Sequence, residues 1–195
     1  MIVSCAELED PYDEYADWNT NVDCCTWLQS KKYKVITCNS AGRVTSLTMG
    51  SPLEVRPLPV WVQTGGGEFG VSLGNLTCLQ KLNLEMPYCG GAIIPSTWTN
   101  LVHLSNITMD ISLGGPLPGA IVKKWPLQWL VLTNNEMNGT IPKELCKSSL
   151  QTLNLTGNQF TGHIPSCLSR FPADSFAGGF TGSNPGLCGA PLPAC

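Results

Sequence analysis

The sequence predicts an α/β solenoid: short turns stacked side by side into a concave parallel β-sheet, closed at each end by a disulfide-stabilised cap. The first observation behind this is a period. Leu150, Leu153, Leu155, Asn158, Phe160, Gly162, Ile164 and Pro165 recur 23 residues earlier as Leu127, Leu130, Leu132, Asn135, Met137, Gly139, Ile141 and Pro142. The second is that the central apolar positions Leu82, Ile107, Leu130 and Leu153 follow one another at intervals of 25, 23 and 23 residues. The third is a set of ten cysteines concentrated towards the two ends of a 195-residue chain.

A period of 20–29 residues carrying L-x-x-L-x-L-x-x-N is the signature of leucine-rich repeats, in which each turn buries its apolar face only by stacking on its neighbours. Five turns are expected over residues 44–171. They begin with Val44, Leu47 and Met49, continue through Leu76, Leu79, Leu82, Leu84 and then Leu101, Leu104, Ile107, Met109, and end with the two regular copies. Leu82 lies 35 residues after Leu47, so the first turn carries an insertion of about ten residues, within 50–72. That stretch holds Trp61, Phe69 and Gly65-Gly66-Gly67, and reads either as a plain surface loop or as a recognition loop using Trp61.

In each turn L-x-L forms a short strand whose leucines point inward and whose intervening residues point outward. Asn135 and Asn158 are expected to turn inward and bond backbone groups that the bend leaves unpaired. Pro87 takes that place in the second turn and interrupts the ladder.

Composition bounds the function. The chain is 43% hydrophobic, enough for a core, and only 13% charged, against roughly 25% in ordinary soluble domains. A net charge of -3 offers no basic face for nucleic acid. The cysteines form no C-x-x-C pair, and only His103 and His163 could join them, so a metal site is not expected. An even cysteine count, together with sequons at Asn75, Asn106, Asn138 and Asn154, points to an extracellular disulfide protein. No apolar run approaches the ~18 residues of a membrane span. Met1–Ala6 is too short for a signal peptide. The expectation is a soluble chain whose leader has been removed or lies upstream.

Residues 1–43 are expected to cap the open end of the solenoid. Tyr12, Tyr15, Trp18 and Trp27 supply apolar cover, and Cys24 and Cys25, being adjacent, are not expected to bond each other. Cys5–Cys24 and Cys25–Cys38 are the expected pairs.

Here the chain resembles a known group. D-P-x-x-x-Y-x-x-W-N, D-C-C-x-W, V-I-T-C-N and G-R-V-T-S-L are similar to the amino-terminal cap of plant extracellular leucine-rich-repeat proteins. That group includes receptor-kinase ectodomains, receptor-like proteins and polygalacturonase-inhibiting proteins. G-x-I-P at Gly91–Pro95, Gly139–Pro142 and Gly162–Pro165 matches its plant-type repeat. The resemblance implies a right-handed superhelix with a second, shorter sheet beside the first. L-C-K and P-S-C-L resemble a pair seen in plant receptor-like proteins and imply a Cys146–Cys167 bridge between neighbouring turns. Residues 172–195 resemble the family's closing cap, which implies Cys188–Cys195. Polygalacturonase inhibitors have a further cap bridge, whose two positions are here Thr161 and Gly186. Cys78 and Cys89 remain: either they pair, or Cys89, at an inward apolar position, is a buried thiol.

The sequence contains no Walker-type phosphate loop, no H-E-x-x-H and no G-x-S-x-G, so neither enzyme nor cofactor is expected. Glu85 and Asp110, as neighbours on adjacent strands, read as a solvated acidic spot rather than an acid–base pair. Function is therefore sought on the outward columns of the sheet. These run Ser46, Lys81, Asn106, Trp129, Thr152; then Thr48, Asn83, Thr108, Val131, Asn154; then Gly50, Glu85, Asp110, Thr133, Thr156. The expected partner-binding residues are Lys81, Asn83, Glu85, Asn106, Thr108, Asp110, Trp129, Val131 and Thr133, with Trp61 from the loop. Trp129 reads either as a binding hot spot or as a ring packed under a neighbouring glycan or loop.

The leading expectation is a secreted or cell-surface module that binds a protein or peptide, such as a larger receptor, as the resemblance to co-receptor ectodomains implies. The alternatives are an inhibitor of a secreted cell-wall-degrading enzyme, an ice-binding or structural wall protein, and a subunit of a larger assembly.

Overall fold

The computed structural model describes residues 25, 34–50, 73–85, 93–177 and 183–195. Cys5, Cys24, Trp61, Pro87 and Cys89 lie outside the described residues, as does most of the expected insertion. The strands are β1 (Lys34–Cys38), β2 (Val44–Gly50), β3 (Lys81–Glu85), β4 (Asn106–Asp110), β5 (Gly114–Pro116), β6 (Trp129–Val131), β7 (Glu136–Thr140), β8 (Thr152–Asn154), β9 (Gln159–His163) and β10 (Gly186–Cys188). They form two sheets. One runs β1-β2-β3-β4-β6-β8, and the other runs β10-β9-β7-β5. Every pairing is parallel except β1 with β2.

Each turn contributes one strand to each sheet where it is complete, and the repeat spacing fixes the register. Leu47, Leu82, Ile107, Leu130 and Leu153 lie opposite one another across the first sheet, all buried. Stacking five such side chains, each worth roughly 1.5–3 kcal/mol when fully withdrawn from water, explains why the turns hold only as a set.

Proline sets the return path. Pro95, Pro142 and Pro165, each closing an Ile-Pro, stand directly before 3-10 segments Ser96–Asn100, Lys143–Lys147 and Ser166–Leu168. Proline suits that place because its φ is already near the helical value and the N–H it lacks would have no partner. These segments bury Trp98, Leu145 and Leu168. The third turn instead uses Pro118 before a one-turn α-helix, Gly119–Val122, which buries Ile121 and Val122.

The asparagines work as the spacing suggests. Asn135 Oδ1 accepts the N–H groups of Ile111 (3.2 Å) and Leu113 (2.9 Å), while its Nδ2 donates to the carbonyls of Met109 (2.8 Å) and Thr133 (2.9 Å). Asn158 repeats this one turn on, taking Met137 N–H (3.1 Å) and donating to Leu132 (2.6 Å), Leu155 (3.0 Å) and Thr156 (3.2 Å). Sequence reasoning missed a third rung. Asn184, in the closing segment, accepts Phe160 N–H (2.9 Å) and donates to Leu155 (2.9 Å) and Phe176 (2.6 Å). Its spacing from Asn158 is 26 residues and its own leucines are missing, so no period marks it.

Both ends of the first sheet are closed. The antiparallel β1 covers the edge of β2, and Cys25–Cys38 ties the preceding segment to its end. At the other end Leu155 N–H donates to Ser175 O (2.8 Å), and Phe171, Phe176 and Leu187 cover the core. Cys146–Cys167 links the 3-10 segments of adjacent turns, and Cys188–Cys195 closes the last loop. Cys78 carries a free, half-buried thiol, and Cys89, its candidate partner by the sequence, lies outside the described residues.

Candidate recognition face

The outward residues of the first sheet form columns because its parallel strands pair without a slip from β2 to β8. Lys81 lies opposite Asn106, Asn106 opposite Trp129, and Trp129 opposite Thr152. Asn83, Thr108, Val131 and Asn154 form the second column, and Glu85 and Asp110 stand side by side in the third. Alternation gives β3 and β4 buried leucine, isoleucine and methionine between partly or fully exposed polar residues.

The third column ends sooner than the sequence suggests. β6 and β8 stop after Val131 and Asn154, because the chain bends there to make the asparagine ladder. Thr133 lies in the turn after β6 and remains partly exposed, whereas Thr156 is only 8% exposed. The Thr156 hydroxyl donates to Asn154 Oδ1 (2.8 Å), which also accepts the Thr156 N–H (3.0 Å). Thr156 is therefore a turn residue and not part of the outward face.

Each carboxylate of the acidic pair is held by an amide. Asn83 Nδ2 donates to Glu85 Oε1 (3.2 Å), and Asn134 Nδ2 donates to Asp110 Oδ2 (2.9 Å). Asn134 was not foreseen as a site residue. It sits in the turn after β6 with a φ of 53°, a left-handed conformation that asparagine tolerates better than most residues. The asparagine pair Asn134-Asn135 was the available signal, since only its second member is needed for the ladder. The Asn83 Oδ1 atom is buried with no hydrogen-bond partner among the described residues.

Trp129 is the large aromatic of this face, 43% exposed on a strand that is paired on both sides. Val131 is half-buried beside it in the next column. Of the sequon asparagines, Asn106 and Asn154 lie in the outward columns, half-buried, while Asn75 and Asn138 are exposed away from them. At the closing loop His163 Nδ1 lies 3.2 Å from Cys195 Sγ, and His163, Cys188 and Cys195 gather within 4.8 Å. The two sulfurs are bonded to each other, which removes the thiolates a metal would need.

The model of the family described as Leucine Rich Repeat matches residues 126–148 and 149–171. Among solved structures, a chain of the BIR3–SERK2 complex from Arabidopsis thaliana is similar at 29% identity and a TM-score of 0.68, over 96% of this chain and 92% of that one. The chain is a leucine-rich-repeat solenoid. A chain of the Arabidopsis receptor kinase HAESA, in complex with the peptide hormone IDA and the co-receptor SERK1, shares the fold. There the identity is 24% and the TM-score 0.59, over 85% of this chain and 27% of that one. A pollen receptor kinase 3 chain shares it at 20% identity and a TM-score of 0.53, over 90% of this solenoid and 88% of that one. No curated protein matches the solenoid in sequence. No described helix is long and apolar enough to cross a membrane.

Proposed function

We propose that the protein is an extracellular, non-catalytic recognition module that binds a protein or peptide through the outward face of its first sheet. The register of that face carries the reading. Parallel pairing without a slip lines up Asn83, Thr108 and Val131 and sets Glu85 beside Asp110, giving a rigid surface with an acidic margin. The disulfides fit an oxidising compartment outside the cell. The similar chain at 29% identity occurs in a complex of two proteins, which favours a protein partner over the ice-binding alternative.

The test is binding to a panel of purified plant leucine-rich-repeat receptor ectodomains, immobilised and titrated with this protein. At least one should saturate. The double substitution Glu85→Lys/Asp110→Lys should weaken that interaction by about tenfold or more, since like charge placed against a complementary patch costs over a kcal/mol. Gln159→Lys, on the exposed side of the second sheet, should leave it intact. Equal loss from both variants, or no saturable binding at micromolar concentration, would refute the reading.

A further inference from the structure

We propose that Asn106 carries an N-linked glycan whose first N-acetylglucosamine lies flat on the indole of Trp129. This goes beyond the recognition reading and can be tested without any partner.

Alternation along β4 puts Asn106 and Thr108, the two ends of the sequon, on the outward face while Ile107 between them is fully buried. Transfer of the glycan acts on the unfolded chain, so what the fold decides is whether a sugar at Asn106 fits and what it touches. It fits, because Asn106 is partly exposed on an open sheet. It touches Trp129, because the two residues are Cα partners across β4 and β6, neighbours at the roughly 4.8 Å spacing of adjacent strands. The backbone holds that neighbour in place: Gln128 and Trp129 N–H both donate to Ser105 O, at 2.9 and 3.1 Å. The Ser105 hydroxyl, 2.8 Å from Asn106 Oδ1, orients the amide.

The chemistry is complementary. One face of the pyranose ring consists of C–H groups, apolar and slightly positive, and the indole face is apolar and negative. Stacking the two removes from water a large ring that is 43% exposed in the bare protein. Lys81, the Cα partner of Asn106 on the other side, is exposed and can donate to sugar hydroxyls. The sequons at Asn154 and Asn138 lack this arrangement. Asn154 has Val131 as its Cα partner and its Oδ1 bound by Thr156, and Asn138 lies opposite Gln159 on the second sheet.

In the transfer itself, a polyprenyl-pyrophosphate-linked oligosaccharide supplies the sugar. The bond from the anomeric carbon to the Asn106 amide nitrogen forms and its bond to the pyrophosphate oxygen breaks. The amide gives up one proton and the lipid pyrophosphate leaves. A glycan seated in the first column covers one margin of the strands and leaves the second and third columns open.

The experiment uses the full chain secreted from a eukaryotic host as wild type, Trp129→Ala, Thr108→Ala and Asn106→Gln, with Trp129→Ala also placed on each sequon-less background. Glycopeptide mass spectrometry should find Asn106 occupied in wild type and in Trp129→Ala, and bare in the two sequon variants. On protein trimmed to single N-acetylglucosamines, nuclear Overhauser contacts should join the Trp129 indole to sugar ring protons shifted upfield. Trp129→Ala should lower the unfolding midpoint further in the glycosylated protein than on either sequon-less background, a non-additivity expected of groups in direct contact. A bare Asn106 in the secreted protein overturns the proposal. So does an occupied Asn106 whose sugar shows no contact with Trp129 and no coupling to it.

Discussion

Thr161 and Gly186 face each other as Cα partners on β9 and β10, and a Cβ built on Gly186 would lie 2.7 Å from Thr161 Cγ2. These are the two positions where polygalacturonase inhibitors carry a cap disulfide, by the resemblance drawn from the sequence. The closing cap thus keeps the approach of the two strands and omits the bond. Gly186→Ala should destabilise by about 1–3 kcal/mol, because the added methyl meets the body of a β-branched residue and the two strands must part. Thr161→Cys/Gly186→Cys should instead bond spontaneously, since in-register neighbours fall inside the 4.4–6.8 Å Cα range of disulfides. Closing a loop of this length contributes about 3–4 kcal/mol in the chain-entropy view. Mass spectrometry reads the bond and guanidinium unfolding reads the gain; two free thiols in the folded double variant would contradict the account.

The asparagine ladder makes a second prediction. Asn158 and Asn184 each satisfy several buried backbone groups; alanine at Asn158 strips the side-chain partner from Met137 N–H and Leu132 O, and alanine at Asn184 strips it from Phe160 N–H and takes the shorter donor from Phe176 O. Each substitution should cost about 2–4 kcal/mol. Asn158→Asp should rescue little, because a carboxylate keeps the acceptor for Met137 N–H but loses the donors for three carbonyls. Urea unfolding of the single variants measures this. A loss below about 1 kcal/mol at Asn184 would show that the third rung is incidental.

The contrast among these asparagines shows what was legible in the sequence. Leu130 and Leu153 announce themselves by their period, and from them the register of the parallel strands β2 to β8 of the first sheet follows, down to Asn106 beside Trp129 and Glu85 beside Asp110. The antiparallel β1 carries no repeat and was not foreseen. The second sheet and the Cys146 link came from resemblance alone, since glycine-rich strands such as Gly114–Pro116 carry no alternation to read. Asn184 was hidden because no L-x-x-L-x-L run precedes it in the cap. Thr156 was misplaced because period two was extended beyond the residue where β8 ends. Strand ends are decided by where the next bend finds its hydrogen bonds, and that is a tertiary fact.

A tryptophan pair was also silent in the sequence. Trp98 and Trp125, both nearly inaccessible, meet with ring centroids 6.2 Å apart at an interplanar angle of 49°, and Trp125 Nε1–H donates to Trp98 O (3.2 Å). They join the return path of one turn to that of the next. Trp125→Phe keeps most of the apolar area and removes one of two donors to Trp98 O, which still accepts Leu101 N–H (3.1 Å), and should cost about 0.5–1.5 kcal/mol. Trp125→Ala should cost about 3–5 kcal/mol. Near-ultraviolet circular dichroism should lose signal in both variants, and thermal unfolding should rank them in that order. Equal midpoints would mean that the indole N–H carries the whole effect and the packing none.

Asn134 lets the turn's backbone strain be separated from the orientation of the acidic pair. Its φ of 53° is a conformation that glycine adopts freely and alanine does not, and its side chain holds Asp110 at 2.9 Å. Asn134→Ala loses both advantages and should destabilise by about 1–2 kcal/mol. Asn134→Gly relieves the backbone while giving up one exposed hydrogen bond, two effects of opposite sign and similar size, so its stability should stay within about 1 kcal/mol of wild type. Both variants free the Asp110 carboxylate to rotate. If the acidic margin works as a pre-oriented contact, both should weaken partner binding to a similar degree despite their different stabilities, because the lost orientation must then be restored on binding. Chemical unfolding of the two variants, measured beside titration of the receptor ectodomain that binds wild type, gives the two readouts separately. Binding that follows stability, with Asn134→Gly behaving as wild type in both, would show that the amide of Asn134 serves the turn and not the face.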